Sequence, residues 1–382
     1  MGIVSGSCTL RKYYCSKKDV DPLEGNFDGL LKGQAARDIE TMADGKAVGW
    51  VAPTHLLDNA ITLDKVLFSD WLCLVIRTDS RSVPANLLKA YVEIELDSRK
   101  RNGRQRITKA EKLEVTDMVR DKLLKKVLPR VSGVDVAWNL KKGEIWLASQ
   151  SNAASDTFAQ LLRTTFGLEA YSADIREMVD RVAPKIAAKY SDLLPADMVS
   201  EGKPKLVPDG KTAIPLPDEF IGREFLTWLL YSCDSQGGEF RLGDGTQIGV
   251  SFDDFIALSS GDADGEKLTL RQGTPSTSAE AMMALRTGRM VDKAKLIVAD
   301  PEEEWGLILS ALDLCVSSMK LPKGEERHPA ARIRERCDSI ARITRYLERL
   351  FVLFLELRVD EGAWEKERSA IAVWIRKSAA GL

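Results

Sequence analysis

The chain has 382 residues, of which 44% are apolar and 29% charged, and its net charge is −2. This length favours two or three domains over one core, and no run of 18 apolar residues is present that could cross a bilayer. The N-terminal residues lack the charged start and apolar stretch of a secretory signal, so we expect a cytosolic protein.

Cysteine and histidine offer little material for metal or triad chemistry. The six cysteines form no C-x-x-C pair, and in a cytosolic chain they are typical of reduced, buried small hydrophobes. His55 follows a proline in a loop and His328 precedes a helix start, so neither has an evident orienting partner. The sequence therefore predicts no catalytic residue, no metal site and no cofactor.

The first half of the chain alternates strand and helix signals. Thr108 and Glu111 have the spacing of a capping box and mark a helix start, and WLCLVIR has the composition of a buried strand. The predicted elements are a strand over 8–15, a turn at 49–53, a strand over 71–77, helices over 85–96 and from 109 to Pro129, a hairpin of 134–140 with 144–149, and helices over 153–166 and 172–190. In that hairpin Trp138 and Trp146 are expected to face each other.

A proline-rich segment separates two predicted domains. Five prolines lie between Leu194 and Pro217, which is typical of a linker. We predict an N-terminal domain over 1–190, a linker over 191–217 and a second domain over 218–382.

The second half begins with a predicted helix and continues through several short strands. The patterns predict helices over 219–233 and 278–288, strands over 238–243, 246–252, 267–273, 293–300 and 305–312, and helices over 329–358 and 364–377. The long helix has one apolar face, formed by Ile340, Ile343, Leu347, Leu350, Phe351 and Phe354, which we assign to core packing in preference to a dimer contact. Without a strict βαβ rhythm, the fold class is α+β, with mixed sheets and flanking helices.

Positive charge is concentrated between residues 99 and 130. This segment holds twelve basic residues and four acids, a charge of +8, whereas the remainder has 43 basic and 53 acidic residues, a charge of −10. Phosphate backbones favour such clusters because each neutralised phosphate releases a counterion. The alternative is a helical hairpin whose charges only keep it solvated.

Nuclease and nucleotide chemistry have little support. No G-x-x-x-x-G-K-[ST] and no G-x-G-x-x-G after a strand occurs. Carboxylates that could hold two metal ions are few, and we interpret them as acidic surface loops: Asp209, Asp253, Asp254, Asp262, Asp264 and Glu266.

Six sequence features in order resemble the RdgC family of recombination-associated proteins. They are GWVAP at 49–53, RSVPANLLKAYVEIEL at 81–96, RQRITKAEK at 104–112, VLPR at 127–130, the hairpin ending EIWLAS, and SNAASDTFAQLLRTTFG at 151–167. The resemblance covers residues 46–167 and is loose after the linker. Val131 or Ser132 stands where common members carry an aromatic residue, and the segment there is shortened.

The resemblance implies binding of double-stranded DNA without base specificity, by a homodimer that closes into a ring with a basic inner surface. It also implies restraint of RecA-dependent recombination and a nucleoid-associated protein in the cytoplasm. Matching positions imply phosphate contacts by Arg104, Arg106, Lys109, Lys112 and Arg130. The full set of candidate DNA-binding residues is Arg99, Lys100, Arg101, Arg104, Arg106, Lys109, Lys112, Lys122, Lys126 and Arg130.

Two other functions stay open at this point. The family is also labelled an exonuclease, which would require a metal-dependent active site. The third hypothesis is a protein-interaction module without DNA affinity.

Overall fold

The computed structural model describes residues 2–22, 26–37, 46–101, 107–199, 216–260 and 266–380. The fold is α+β, as the sequence predicted. No helix in these ranges combines the length and the apolar character needed to span a membrane.

The strands are β1 (Cys8–Cys15), β2 (Lys46–Val51), β3 (Leu67–Phe68), β4 (Trp71–Ser80), β5 (Arg130–Asn139), β6 (Glu144–Leu147), β7 (Ala170–Ser172), β8 (Glu239–Arg241), β9 (Gln247–Ser259), β10 (Lys267–Leu270), β11 (Met290–Ala299), β12 (Glu304–Ser310) and β13 (Val316–Lys320). The helices are α1 (Phe27–Gly33), α2 (Leu63–Val66), α3 (Ala85–Arg101), α4 (Lys109–Leu124), α5 (Asn152–Phe166), α6 (Ile175–Val182), α7 (Ala187–Ser191), α8 (Pro217–Ser235), α9 (Ala279–Arg286), α10 (Pro329–Arg358) and α11 (Glu361–Ala380).

One antiparallel sheet runs through both halves of the chain, in the order β10-β9-β11-β12-β13-β1-β6-β5-β4-β2. Strand β1 makes the connection. Its Cys8 and Leu10 pair with β13, whereas its residues 11–14 pair with β6. The two halves therefore share a sheet although the predicted linker lies between them in sequence.

Helices cover this sheet unequally. On one face α8, α10 and α11 contribute to the larger apolar core, which includes residues from both halves. On the other face α1 and α5 cover only the first half and build a second core. Strand β4 contributes Trp71 and Cys73 to the larger core and Leu72 and Leu74 to the second. Burial on both faces explains why β4 is a continuous apolar run in the sequence.

Several predicted elements are confirmed. Strand β1 and helix α10 have the predicted bounds, and α5 ends at Gly167, which has a φ of 65°. The six residues of the predicted apolar face of α10 are buried, so core packing is confirmed.

The expected pairing of Trp138 with Trp146 is wrong. Trp138 lies opposite Ile145, and Trp146 lies opposite Ala137. Because a shift of one residue moves a side chain to the other face of a sheet, the two indoles belong to different cores.

The predicted turn at 49–53 is also wrong in its first half. Gly49, Trp50 and Val51 end strand β2 and pair with β4. A Cβ on Gly49 would lie 2.5 Å from the Cα of Ala36, so glycine permits this close approach. Trp50 donates its indole N–H to Thr165 of α5 at 2.8 Å.

Several helix boundaries differ from the prediction, and α3 continues to Arg101 where the predicted helix ended at residue 96. Helix α4 ends at Leu124, before the predicted end at Pro129. The proline disfavours helical backbone at Leu128, and β5 begins directly after Pro129. The helix predicted over 172–190 is split into α6 and α7 by Pro184, and its first residue belongs to β7.

The domain boundaries stay a prediction, since linker residues 200–215 lie outside the described ranges. Just before this segment, at Leu194 and Ala196, the chain is anchored by a buried ion pair. Arg358 of α10 donates to Glu224 of α8 at 2.7 Å and to the carbonyl of Leu194 at 2.6 Å. The other oxygen of Glu224 accepts from the Ala196 amide at 2.6 Å. Desolvation by burial raises the pKa of Glu224 even though Arg358 opposes this shift.

Replacing Glu224 by alanine should therefore destabilise the protein strongly, because Arg358 would stay buried without a counter-charge. We expect a loss of about 3–5 kcal/mol in the free energy of unfolding, measured by urea denaturation at neutral pH. Glu219→Ala, on the exposed first turn of the same helix, is the control and should cost less than ~1 kcal/mol. Equal losses for both variants would contradict an anchoring role for the pair.

Candidate nucleic-acid interface

The basic segment forms a helical hairpin, α3 and α4, inserted between two neighbouring strands. Strands β4 and β5 pair over their full length, from Trp71 opposite Asn139 to Ser80 opposite Arg130. The hairpin takes the place of a tight turn at the second of these ends. Its position is consequently set by ten paired residues on each side.

The base of the hairpin is held by a buried ion pair on β4. Arg77 donates to both carboxylate oxygens of Asp79, at 2.8 and 2.6 Å. A bidentate pair of this kind fixes orientation as well as charge. The pair therefore fixes the orientation of these two side chains near the end of the strand that leads into the hairpin.

The hairpin has a small apolar core of its own. Val115, Val119 and Leu123 recur every four residues along α4 and pack against Val92 of α3. The start of α4 is stabilised by the predicted capping box, in which Thr108 accepts from the Glu111 amide at 3.2 Å and Glu111 accepts from the Thr108 amide at 2.9 Å. This cluster is separate from the two cores on the sheet, so the hairpin is a self-contained unit.

Most of the described candidate cations are exposed to solvent. Arg101, Lys109, Lys112, Lys122, Lys126 and Arg130 are exposed, and among the described residues none of these six forms an ion pair. Arg99 is half-buried beside Glu95 at 3.6 Å, and Lys100 pairs with Asp97 at 3.0 Å. Arg104 and Arg106 lie outside the described residues.

The arrangement suits an extended anion. From Lys109 to Lys126 the helical rise gives a length of about 25 Å, over which the exposed ammonium groups are distributed. Partners such as Asp97 hold their cations weakly, because exposed ion pairs contribute at most about 1 kcal/mol. These cations can exchange a carboxylate or water for a phosphate oxygen at little cost.

An apolar stripe lies on the same hairpin. Leu87, Tyr91 and Ile94 of α3 are 40%, 48% and 66% exposed, and their spacing places them on one side of the helix. We call these three residues the α3 stripe. Clustered exposed apolar residues are typical of a protein contact surface.

The described carboxylates among those considered for metal binding are paired with basic side chains. Asp253 and Asp254 of β9 both contact Nζ of Lys295 at 2.8 Å, and the hydrogen bond from Lys295 lowers the pKa of Asp253. Glu266 pairs with Arg289, while Asp209, Asp262 and Asp264 fall outside the described residues. Within the described ranges no three His, Cys, Asp or Glu side chains lie together as a metal site.

The two histidines have structural surroundings. Nδ1 of His55 accepts from the Leu57 amide at 3.1 Å within a turn. His328 occupies the position before the first residue of α10 and is exposed.

The structure contains a second basic site that the sequence analysis missed. Arg334, Arg342 and Arg345 of α10 line a cleft of about 300 Å³ together with Lys142 from the turn between β5 and β6. The spacing of these arginines along α10 was a usable signal, but acidic residues interleave with them. Lys142 is nearly two hundred residues away in sequence, and only the fold brings it to the helix.

Comparison with known proteins identifies the first half of the chain. No curated protein matches the sequence. Residues 12–179 match a family model described as “Putative exonuclease, RdgC”, a region that runs from β1 into α6 and includes the whole helical hairpin. The match over this region supports membership of the chain in the RdgC family.

Proposed function

We propose that this protein binds double-stranded DNA without base specificity, as a dimer that encloses the duplex, and that this binding restrains RecA-dependent recombination. Family membership supports, at the level of the family, a recombination-associated protein of the nucleoid. The observation that carries the proposal is a row of exposed cations on a self-contained hairpin, which form no ion pair with any residue that the structure describes.

Binding would be electrostatic. Lysine and arginine side chains on α4 and at the start of β5 contact phosphate oxygens, which position the protein on the duplex and convey no sequence information. Each neutralised phosphate releases a condensed counterion, so affinity falls steeply with salt. The negative charge of the remaining chain disfavours DNA elsewhere on the surface and restricts the duplex to basic regions.

Dimerisation would turn weak contacts into a long-lived complex. The α3 stripe is available for a second copy of the chain, because its apolar side chains are exposed on the hairpin. Once two protomers meet around a duplex, the phosphate contacts of one protomer hold the cations of the other close to the DNA. The second set of contacts then forms at high effective concentration. A recombinase that needs the same DNA would then find it occupied, which accounts for restraint of RecA without direct contact.

Neutralising Lys109 and Lys112 should weaken duplex binding and reduce its salt dependence. For Lys109→Gln/Lys112→Gln we expect the slope of log affinity against log salt to become shallower by about 2, close to 0.9 for each lost phosphate contact. Fluorescence anisotropy of a labelled duplex across a salt series measures this.

The matched control is Lys185→Gln/Lys189→Gln, which removes the same charge from exposed lysines outside the hairpin and should leave the slope unchanged. A wild-type protein that does not bind DNA even at low salt would refute the proposal and favour the protein-interaction reading.

Disrupting the α3 stripe should abolish the clamp. Ile94→Glu places a charge in the proposed dimer contact, so we expect a monomer by sedimentation and an equally short lifetime on closed-circular and linear DNA. The wild-type protein should be dimeric and dissociate more slowly from circles than from linear DNA with free ends. Leu312→Glu, at a residue that is 51% exposed on the other half, is the control for adding one negative charge. A wild-type monomer, or equal lifetimes on both DNA forms, would rule out enclosure.

The family description names an exonuclease, which makes hydrolysis the second candidate. We expect an end-labelled linear duplex to stay full length when it is incubated with the protein and Mg²⁺ or Mn²⁺. Metal-dependent shortening from the ends that EDTA abolishes would replace binding with hydrolysis as the proposed activity.

A further inference from the structure

The cleft beside α10 has three walls from distant parts of the chain. Helix α10 supplies Arg334, Asp338, Ala341, Arg342 and Arg345, the turn between β3 and β4 supplies Ser69 and Asp70, and the turn between β5 and β6 supplies Lys142. We call this site the arginine cleft. We propose that the arginine cleft is a second phosphate-binding surface that continues the DNA path of the hairpin, an inference that rests on the proposed function.

The charge of the arginine cleft is positive. Four cations and two carboxylates line it, so its formal charge is +2. Both carboxylates already have partners: Asp70 pairs with Lys141 at 2.9 Å, and Asp338 accepts from the indole N–H of Trp71 at 2.9 Å. An entering anion would therefore meet cations whose nearby acids are engaged.

Three of the four cations are available. Arg342 is held by Glu303 at 3.0 Å. Arg334, Arg345 and Lys142 are exposed, and within the described part of the chain none of them forms an ion pair. Fully solvated guanidinium groups bind phosphate well because their planar donors match its oxygens.

The walls of the cleft are rigid. Trp71, which forms its floor, is buried and lies 4.7 Å from the ring of Trp146. The opposite side of α10 is fixed in the larger core through Cys337, Ile340 and Ile343. The backbone positions of the cations are therefore set before any ligand binds, which lowers the entropic cost of binding.

The spacing of the cations favours a polyanion over a single ion. Arg334 and Arg345 are eleven residues apart on α10, which corresponds to about 16 Å along the helix axis. One phosphate cannot contact both residues. A duplex presents a phosphate about every 3.4 Å along each strand, so several successive phosphates would fit this distance.

The distance from the hairpin also fits a duplex. The arginine cleft adjoins Trp71 at one end of β4, and the hairpin follows Ser80 at the other end. Ten residues of strand span about 33 Å, close to the 34–36 Å of one turn of B-DNA. A duplex whose axis is parallel to β4 and β5, outside the elements that cover them, would present the same side to both sites, one turn apart.

The test compares two double variants with equal changes in charge. Arg334→Gln/Arg345→Gln removes the available arginines of the cleft, and Arg327→Gln/Arg332→Gln removes two exposed arginines at the start of α10 that do not line it. On a duplex of about two turns we expect only the first variant to lose about 2 in salt slope. On a duplex of about half a turn, which cannot reach both sites, we expect a much smaller difference between the variants. Unchanged melting temperatures would show that both variants fold.

Inorganic polyphosphate and inorganic phosphate serve as further probes. If the cleft variant binds duplex with the wild-type slope, the cleft is not part of the DNA path and the inference fails, while the hairpin proposal stands. If wild-type protein binds polyphosphate through the cleft but binds no duplex, both the proposed function and the assignment to DNA are overturned. Binding of inorganic phosphate as tightly as duplex would overturn the assignment to a polyanion.

Discussion

Strand β1 is the constraint on which the rest of this structure depends, because it pairs with strands from both halves of the sequence. Its first residues pair with β13 and its later residues with β6. Without this strand the sheet would separate into two pieces, each with unpaired backbone groups at a new edge. With it, α10 can lie across both halves and bury one continuous apolar core.

In this architecture, the parts of the fold that provide stability differ from the parts that carry the basic surfaces. The packed sheet and its helices fix where β4 and β5 begin and end, and the basic sites lie at those two ends. The hairpin contributes nothing to the larger cores, so its surface residues are free of packing demands and can carry charge. The arginine cleft has the opposite construction, since its cations project from a helix whose other side is buried.

Charge distribution determines which parts of the surface attract a polyanion such as the proposed DNA. With a net charge of −2 overall and +8 between residues 99 and 130, the chain attracts a polyanion only locally. Each exposed contact is weak by itself and is screened by salt. In the proposed function, several contacts on one protomer, combined with a second protomer, would give the long residence that occupation of DNA requires.

The sequence by itself determined the features that depend on local signals. These are the capping box of α4, the apolar run of β4, the glycine that ends α5 and the bounds of α10. The segregated positive charge and the order of motifs that resembles the RdgC family were also evident from the sequence. These depend on residues within a few positions of each other, where propensity and periodicity act directly. Only the tertiary structure decided that Trp138 and Trp146 lie on opposite faces, that the serine-rich strand β13 joins β1, and that Lys142 meets the arginines of α10. Strand register and long-range pairing set these features, and both arise from burial of surfaces that no local pattern records.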